Sequence, residues 1–197
     1  MLLLVLGLVL FLGIHSVRIV APDFRDAQIA ARGEGPWKGI YSVVSALGLV
    51  LIVWGYGQAR QDPVVFWVAP TWMSHLVALL MLFSFIFLAA AQIPAGRIKA
   101  ALKHPTLVAV KIWALAHLLV NGDLASAILF GGFLAWAVVD RISEKKRLAA
   151  GKTKNPVAGP VSRDILAVAI GIVAYVLFVL YLHEWLIGVP PLTRVSA

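Results

Sequence analysis

The sequence predicts an all-α polytopic transmembrane helix bundle of six helices, with both termini on the outer (periplasmic) side. Three observations carry this. Of the 197 residues, 61% are hydrophobic and only 13% are charged, and the mean hydropathy is +0.93. The apolar stretches are long runs, not short alternating strands, which suits helices and not a barrel. The polar segments between them are all too short to hold a second, soluble domain, so residues 1–197 read as a single transmembrane domain.

The first helix is expected over residues 2–20, a run broken only by His15 and Arg18. Met1 is followed directly by LLLVLGLVLFLG with no basic flank, so this run reads as a retained helix and not as a cleaved signal. Residues 21–38 form a polar connection containing Asp23, Arg25, Asp26, Arg32 and Pro36. The second helix covers residues 39–57 and carries a partly polar stripe of Tyr41, Ser42 and Ser45. Residues 58–71 hold Pro63, Pro70 and Trp67, with Trp72 following, as expected of an interfacial loop with aromatic anchors. The third helix spans 71–91. After a short basic stretch, Pro105 suits the first turn of a fourth helix over 105–120, and Asn121-Gly122-Asp123 signals a turn. The fifth helix returns over 124–140. Its Gly131-Gly132 pair permits close contact or a kink, and Asp140-Arg141 reads as a surface ion pair at the helix stop. Residues 141–163 are strongly basic, the sixth helix covers 164–187, and a short tail follows.

The net charge is +8. The Lys and Arg residues cluster at the connections after helices one, three and five, which places those connections in the cytoplasm. In a membrane protein such charge reports contact with anionic lipid, so no nucleic acid is expected as a partner. The bilayer is the expected partner, with a lipophilic small molecule as a second. The chain has no cysteine, which excludes disulfides, thiolate metal sites, iron–sulfur clusters and covalent haem attachment. The nine acidic residues lie in predicted loops or at helix ends. No buried carboxylate pair or intramembrane acidic relay is therefore expected, which argues against proton-coupled transport.

Chemistry concentrates in residues 103–123, KHPTLVAVKIWALAHLLVNGD. Ionisable groups at membrane depth are costly and tend to be functional. His104 and Lys111 are seven apart and share a helix face, while Trp113, His117 and Asn121 are four apart and share another. Helix direction gives each histidine a depth. His15 lies in the cytoplasmic half and His104 at the cytoplasmic surface. His117 lies in the outer half, and His75 and His183 lie near the outer interface. Imidazoles alone can hold a haem iron, and His15 with His117 is the more deeply placed pair. They are separated by about 10 Å along the membrane normal at the helical rise. The fallback is His117 with His75 or His183.

The motifs G-I-H-S-V-R at residues 13–18, K-H-P at 103–105 and W-A-L-A-H-L-L-V-N-G-D-L-A-S at 113–126 resemble the NnrU family. The likeness extends to A-W-A-V-V-D-R-I, ending at Ile142. The family comprises small bacterial membrane proteins named for genes near nitrite and nitric oxide reduction. It is similar to zeta-carotene isomerase, which holds haem b through histidines corresponding to His15 and His117. The resemblance implies haem b on those two histidines, with Trp113 and Asn121 packing on it, and Arg18 or Lys111 meeting a propionate. Redox or ligand chemistry linked to denitrification, or redox-gated isomerisation of a lipophilic substrate, would follow in a bacterial inner membrane.

A second likeness gives an alternative. Lys103-His104-Pro105 and Asp140-Arg141-Ile142-x-Glu144-x-x-x-Leu148 are similar to the R-H-P and R-I-x-x-E-E-x-x-L motifs of isoprenylcysteine-type methyltransferases, which implies S-adenosylmethionine at the cytoplasmic helix ends. Lys103 and Lys145 depart from that pattern. A cofactor-free accessory protein is the third expectation, and it predicts His15 and His117 packed among side chains.

Overall fold

The computed structural model describes residues 1–192; the end of the predicted tail, with Arg194, lies outside them. The described residues form α1 (Leu2–Val20), α2 (Pro22–Arg32), α3 (Glu34–Ala59), α4 (Met73–Gln92), α5 (Arg97–Leu102), α6 (Pro105–Val120), α7 (Leu124–Ala149), α8 (Val161–Leu177), a π-helical turn (Phe178–Leu182) and α9 (His183–Ile187). Among the described residues, five helices are long and apolar enough to cross a membrane: α1, α3, α4, α7 and the continuous run Val161–Ile187. The chain is thus a multi-pass membrane protein by the length and composition of its helices. The remaining expected span, α6, has the predicted bounds but only 16 residues.

The differences from the expected boundaries have local causes. Residues 21–38 are largely helical because Pro22 opens α2 and Pro36 falls in the first turn of α3, where a missing N–H costs nothing. Gly33 separates the two at φ 85°, a conformation that disfavours a side chain. α7 runs nine residues past its expected stop at residue 140, to Ala149. Asp140 is not the surface partner of Arg141: it accepts from Arg147, two turns on, at 3.3 Å. The stretch 93–103 holds a short helix, α5. The Asp164 carboxylate at the start of α8 accepts from its Arg97 and Ile98 N–H groups at 3.0 Å. A side chain at Gly96 would collide with that carboxylate.

The helices pack in the serial order α3–α1–α7–α6–α4–α8, and α7 joins two groups. In one, α1 lies along α3. In the other, α4 is held between α6 and α8. The core sits at the junction, where Leu4, Leu8, Ile52, Ala114, Ala125, Leu129 and Phe130 meet. Close approach is made at Gly7, Gly48, Gly55 and Gly171, where a Cβ would strike a neighbouring backbone. It is not made at Gly131, which faces open space, or Gly132, which meets only leucine tips at 3.7 Å and beyond. α7 continues through that pair without interruption.

Contacts sort the connections by end. Arg18, His104 and Glu144 meet at one end, where the 93–96 turn also meets the start of α8. We refer to this as the basic end. At the opposite end, the α3–α4 connection bonds to the α6–α7 turn, and Arg60 donates to the Ile187 carbonyl at 3.2 Å.

Candidate functional site

His15 lies where α1, α3 and α7 converge, toward the basic end. Its Nδ1–H donates to the Phe11 carbonyl one turn back at 2.6 Å. A carbonyl can only accept, so the neutral ring keeps its lone pair on Nε2. The imidazole stacks on Phe11 at 4.2 Å and meets Tyr41 of α3 at 4.9 Å and the edge of Trp136 of α7 at 5.9 Å. The buried Trp136 indole N–H has no acceptor among the described residues. His15 also forms part of the wall of a half-open cavity of about 240 Å³. Trp37 and Tyr41 line it with the cations Arg18, Arg25 and Lys38 and the single acid Glu34. Lys38 pairs with Glu34 at 3.1 Å and Arg25 with Asp26 at 2.8 Å. Arg18 is half exposed, 4.0 Å from Glu144.

Glu144 is the centre of a second polar group, adjoining the first through Arg18. It is 8% exposed and lies within α7, which corrects the expectation that the acidic residues all lie in loops or at helix ends. Arg147 donates to it and to Asp140 and Ser143, and His104 Nε2 lies 3.9 Å away. The K-H-P and D-R-I-S-E motifs, 36 residues apart from His104 to Asp140, are therefore neighbours in space. His104 precedes α6 and lies outside the spans. Burial pushes its imidazole below the ordinary value, and Glu144 opposes this by pulling it up. The folded state therefore binds the His104 proton less readily than the unfolded chain. This contribution to stability is fully present above the unfolded pKa of about 6.5 and is lost as pH falls toward the depressed folded value. His104→Gln is expected to flatten the fall in thermal midpoint between neutral and mildly acid pH. An unchanged acid slope in that variant would count against His104 as the group responsible.

His117 occupies a different environment. Its Nδ1–H donates to the Trp113 carbonyl at 2.8 Å, again leaving Nε2 free. The ring stacks on Phe130 at 4.7 Å with Trp113 at 5.6 Å. The Asn121 side chain donates to the main-chain carbonyl of His117 at 2.9 Å, so it caps the helix and does not orient the imidazole. Lys111 is half-buried on α6. His183 follows the π-helical turn and donates to the Val189 carbonyl at 2.7 Å. His75 is exposed near the start of α4.

The two intramembrane histidines are not brought together. An unbroken series of rings, Phe11, Phe133, Trp113 and Phe130, leads from His15 to His117 with centroids 4.2 to 5.6 Å apart. His15 meets Trp136 and His117 stacks on Phe130, six residues apart on α7, or about 9 Å along the helix. His15, and not His117, lines the cavity with the basic rim, a donor set that would suit a haem held by one imidazole.

A family profile described as NnrU protein matches residues 3–191. The chain is a member of the NnrU family. The search of curated proteins and the search of solved structures each return no match. The NnrU match spans His15, the cavity beside it, the Glu144 group and His117. Of the residues around His15, Tyr41 stands out in the sequence as part of a polar stripe in an apolar run. Trp37 and Lys38 directly precede that run and fall in the expected polar connection, so the sequence offers no signal for them. Trp136 and Arg147 are brought in only by the docking of α7.

Proposed function

We propose that this NnrU protein binds haem b at the His15 cavity, where His15 would supply the imidazole ligand and Arg18 would be the first partner of a propionate. The observation that supports it is the conjunction at one cavity of a free imidazole Nε2 with three cations, in a membrane protein that otherwise spends few charges. A planar, lipophilic molecule with acidic groups matches that wall: Trp37 and Tyr41 offer flat faces, and the rim offers counter-charges. The volume of about 240 Å³ is below the range of roughly 300–1,000 Å³ usual for small-molecule sites, and the cavity is open on one side. Haem supplies one-electron redox and ligand-binding chemistry, which suits a role alongside nitrite and nitric oxide reduction or in redox-gated isomerisation of a lipophilic substrate. The chain's own residues bind, orient and neutralise.

The test is the absorption spectrum of detergent-purified protein, oxidised and dithionite-reduced. Sharp reduced b-type bands are expected, abolished by His15→Ala, weakened by Arg18→Ala and retained in His117→Ala. A colourless protein from a haem-replete host, or a spectrum untouched by His15→Ala, overturns the proposal and leaves a cofactor-free accessory role. Loss only in His117→Ala would move the haem toward the His183 end.

A second reading has one observation in its favour. His104 and Glu144, from the two motifs similar to methyltransferases, lie within 3.9 Å, and an S-adenosylmethionine site at the basic end would use both. Arg147 already occupies that carboxylate. Calorimetric titration with S-adenosylmethionine discriminates: saturable heat lost in His104→Ala supports it, and no heat ends it.

A further inference from the structure

The connection between α3 and α4 is pinned across the α6–α7 turn. Phe66 and Trp67 N–H groups donate to the Gly122 carbonyl at 2.6 and 3.3 Å, and Leu124 N–H donates to the Val64 carbonyl at 2.9 Å. Val65 and Asp123 form an antiparallel bridge. Gly122 is buried beneath Trp67, and any side chain there would strike the Trp67 carbonyl. The pinned stretch is apolar and turned outward. Val64, Val65, Phe66, Trp67 and Val68 are 43 to 86% exposed.

α6 explains why such a stretch sits there. Its 16 residues span about 24 Å, against a hydrocarbon core of about 30 Å. A helix of that length starting at one membrane surface would leave the turn at 121–123 short of the opposite one. Its backbone polar groups then need partners from the protein, because lipid offers none. The strap supplies them at Gly122 and Leu124.

We propose that residues 64–68 form a strap inserted into the bilayer at the boundary between acyl chains and headgroups, with Val65, Phe66 and Val68 contacting lipid. The surface is continuous with the lipid-facing sides of the adjoining spans, where Val50, Val53 and Trp54 of α3 and Leu76 and Leu79 of α4 are exposed. Trp72 and Trp185, exposed at the same end, are the residue type enriched at that boundary. The strap contains no charge, and Arg60 and Asp62 flank it on the side toward α3.

The chain has no cysteine, so single cysteines can be introduced at Val65, Val68 and Asp62 and spin-labelled. The protein is reconstituted in phosphatidylethanolamine–phosphatidylglycerol vesicles. Collision with oxygen relative to a water-soluble nickel chelate is expected to be several-fold higher at Val65 and Val68 than at Asp62. Equal ratios at all three overturn the proposal and indicate an aqueous loop, open to a soluble partner. As a second measurement that leaves the strap nearly intact, brominated-lipid quenching is compared between the unsubstituted protein and Trp67→Phe. A Trp67 component quenched by lipid and shielded from iodide supports insertion; the reverse overturns it.

Discussion

Gly55→Val is expected to separate α1 from α3 and to remove most of the folded protein. A Cβ at Gly55 runs into the Leu4 backbone, one at Gly48 lies 2.7 Å from the Phe11 nitrogen, and one at Gly7 lies 2.6 Å from the Ile52 nitrogen. The obstacles are main-chain atoms, so no rotamer change relieves them and the helices must move apart. Small residues that let backbones approach are the usual basis of helix association in lipid, where no hydrophobic force drives one helix onto another. Overpacking in a tight core costs about 1–3 kcal/mol and occasionally more, and a β-branched side chain against backbone belongs at the upper end. Because α1 and α3 also form the wall carrying His15 and Tyr41, any spectrum arising there should vanish with the fold. Thermal unfolding in detergent provides the measurement, with Gly13→Val and Gly57→Val as controls, since nothing stands within 4 Å of a Cβ at either. If Gly55→Val melts with those controls, the α1–α3 contact is not as tight as described.

The second large effect is expected from Glu144→Gln. Arg147 is held by Glu144, Asp140 and Ser143, and its Nε has no acceptor among the described residues. Its side chain is 13% exposed and that of Glu144 is 10% exposed. Neutralising the carboxylate leaves a largely buried guanidinium with Asp140 as its only counter-charge. Removing one partner of a buried pair costs about 3–5 kcal/mol, whereas exchanging both for apolar residues of similar volume is often neutral or better. Glu144→Gln should therefore destabilise strongly, and Glu144→Leu combined with Arg147→Met should recover most of the loss. A cost for Glu144→Gln below about 1 kcal/mol, the value of an exposed ion pair, would show that water reaches the group freely.

The long apolar runs were readable because lipid imposes a single requirement, and α1 and α6 match their expected bounds to the residue. Polar helices were less readable. α2 and the last turns of α7 carry many charges, and their helicity rests on first-turn prolines and on side-chain pairs such as Arg147 with Ser143 and Glu144, which hydropathy does not register. The glycines that matter could not be told from those that do not, because Gly48 and Gly131 differ only in what a distant helix places against them. His15 and Arg18 could be selected as polar groups in an apolar run, and both line the cavity. Trp37 and Lys38 joined them through the pairing of α1 with α3, and the aromatic series between His15 and His117 depends on how α7 docks against α1 and α6. Neither follows from spacing along one helix.

The serial packing order has a consequence for biosynthesis. α1 and α3 are complete neighbours once the first 59 residues have entered the membrane. α4 is made next, but its partners α6 and α8 do not yet exist, so it must wait in lipid as a lone helix. α7 is the element that joins the early pair to the later group. Until it is synthesised, the α1–α3 pair and the α4–α6 pair are not joined, and quality control that samples unpaired membrane helices has its opportunity between the release of α4 and the arrival of α6.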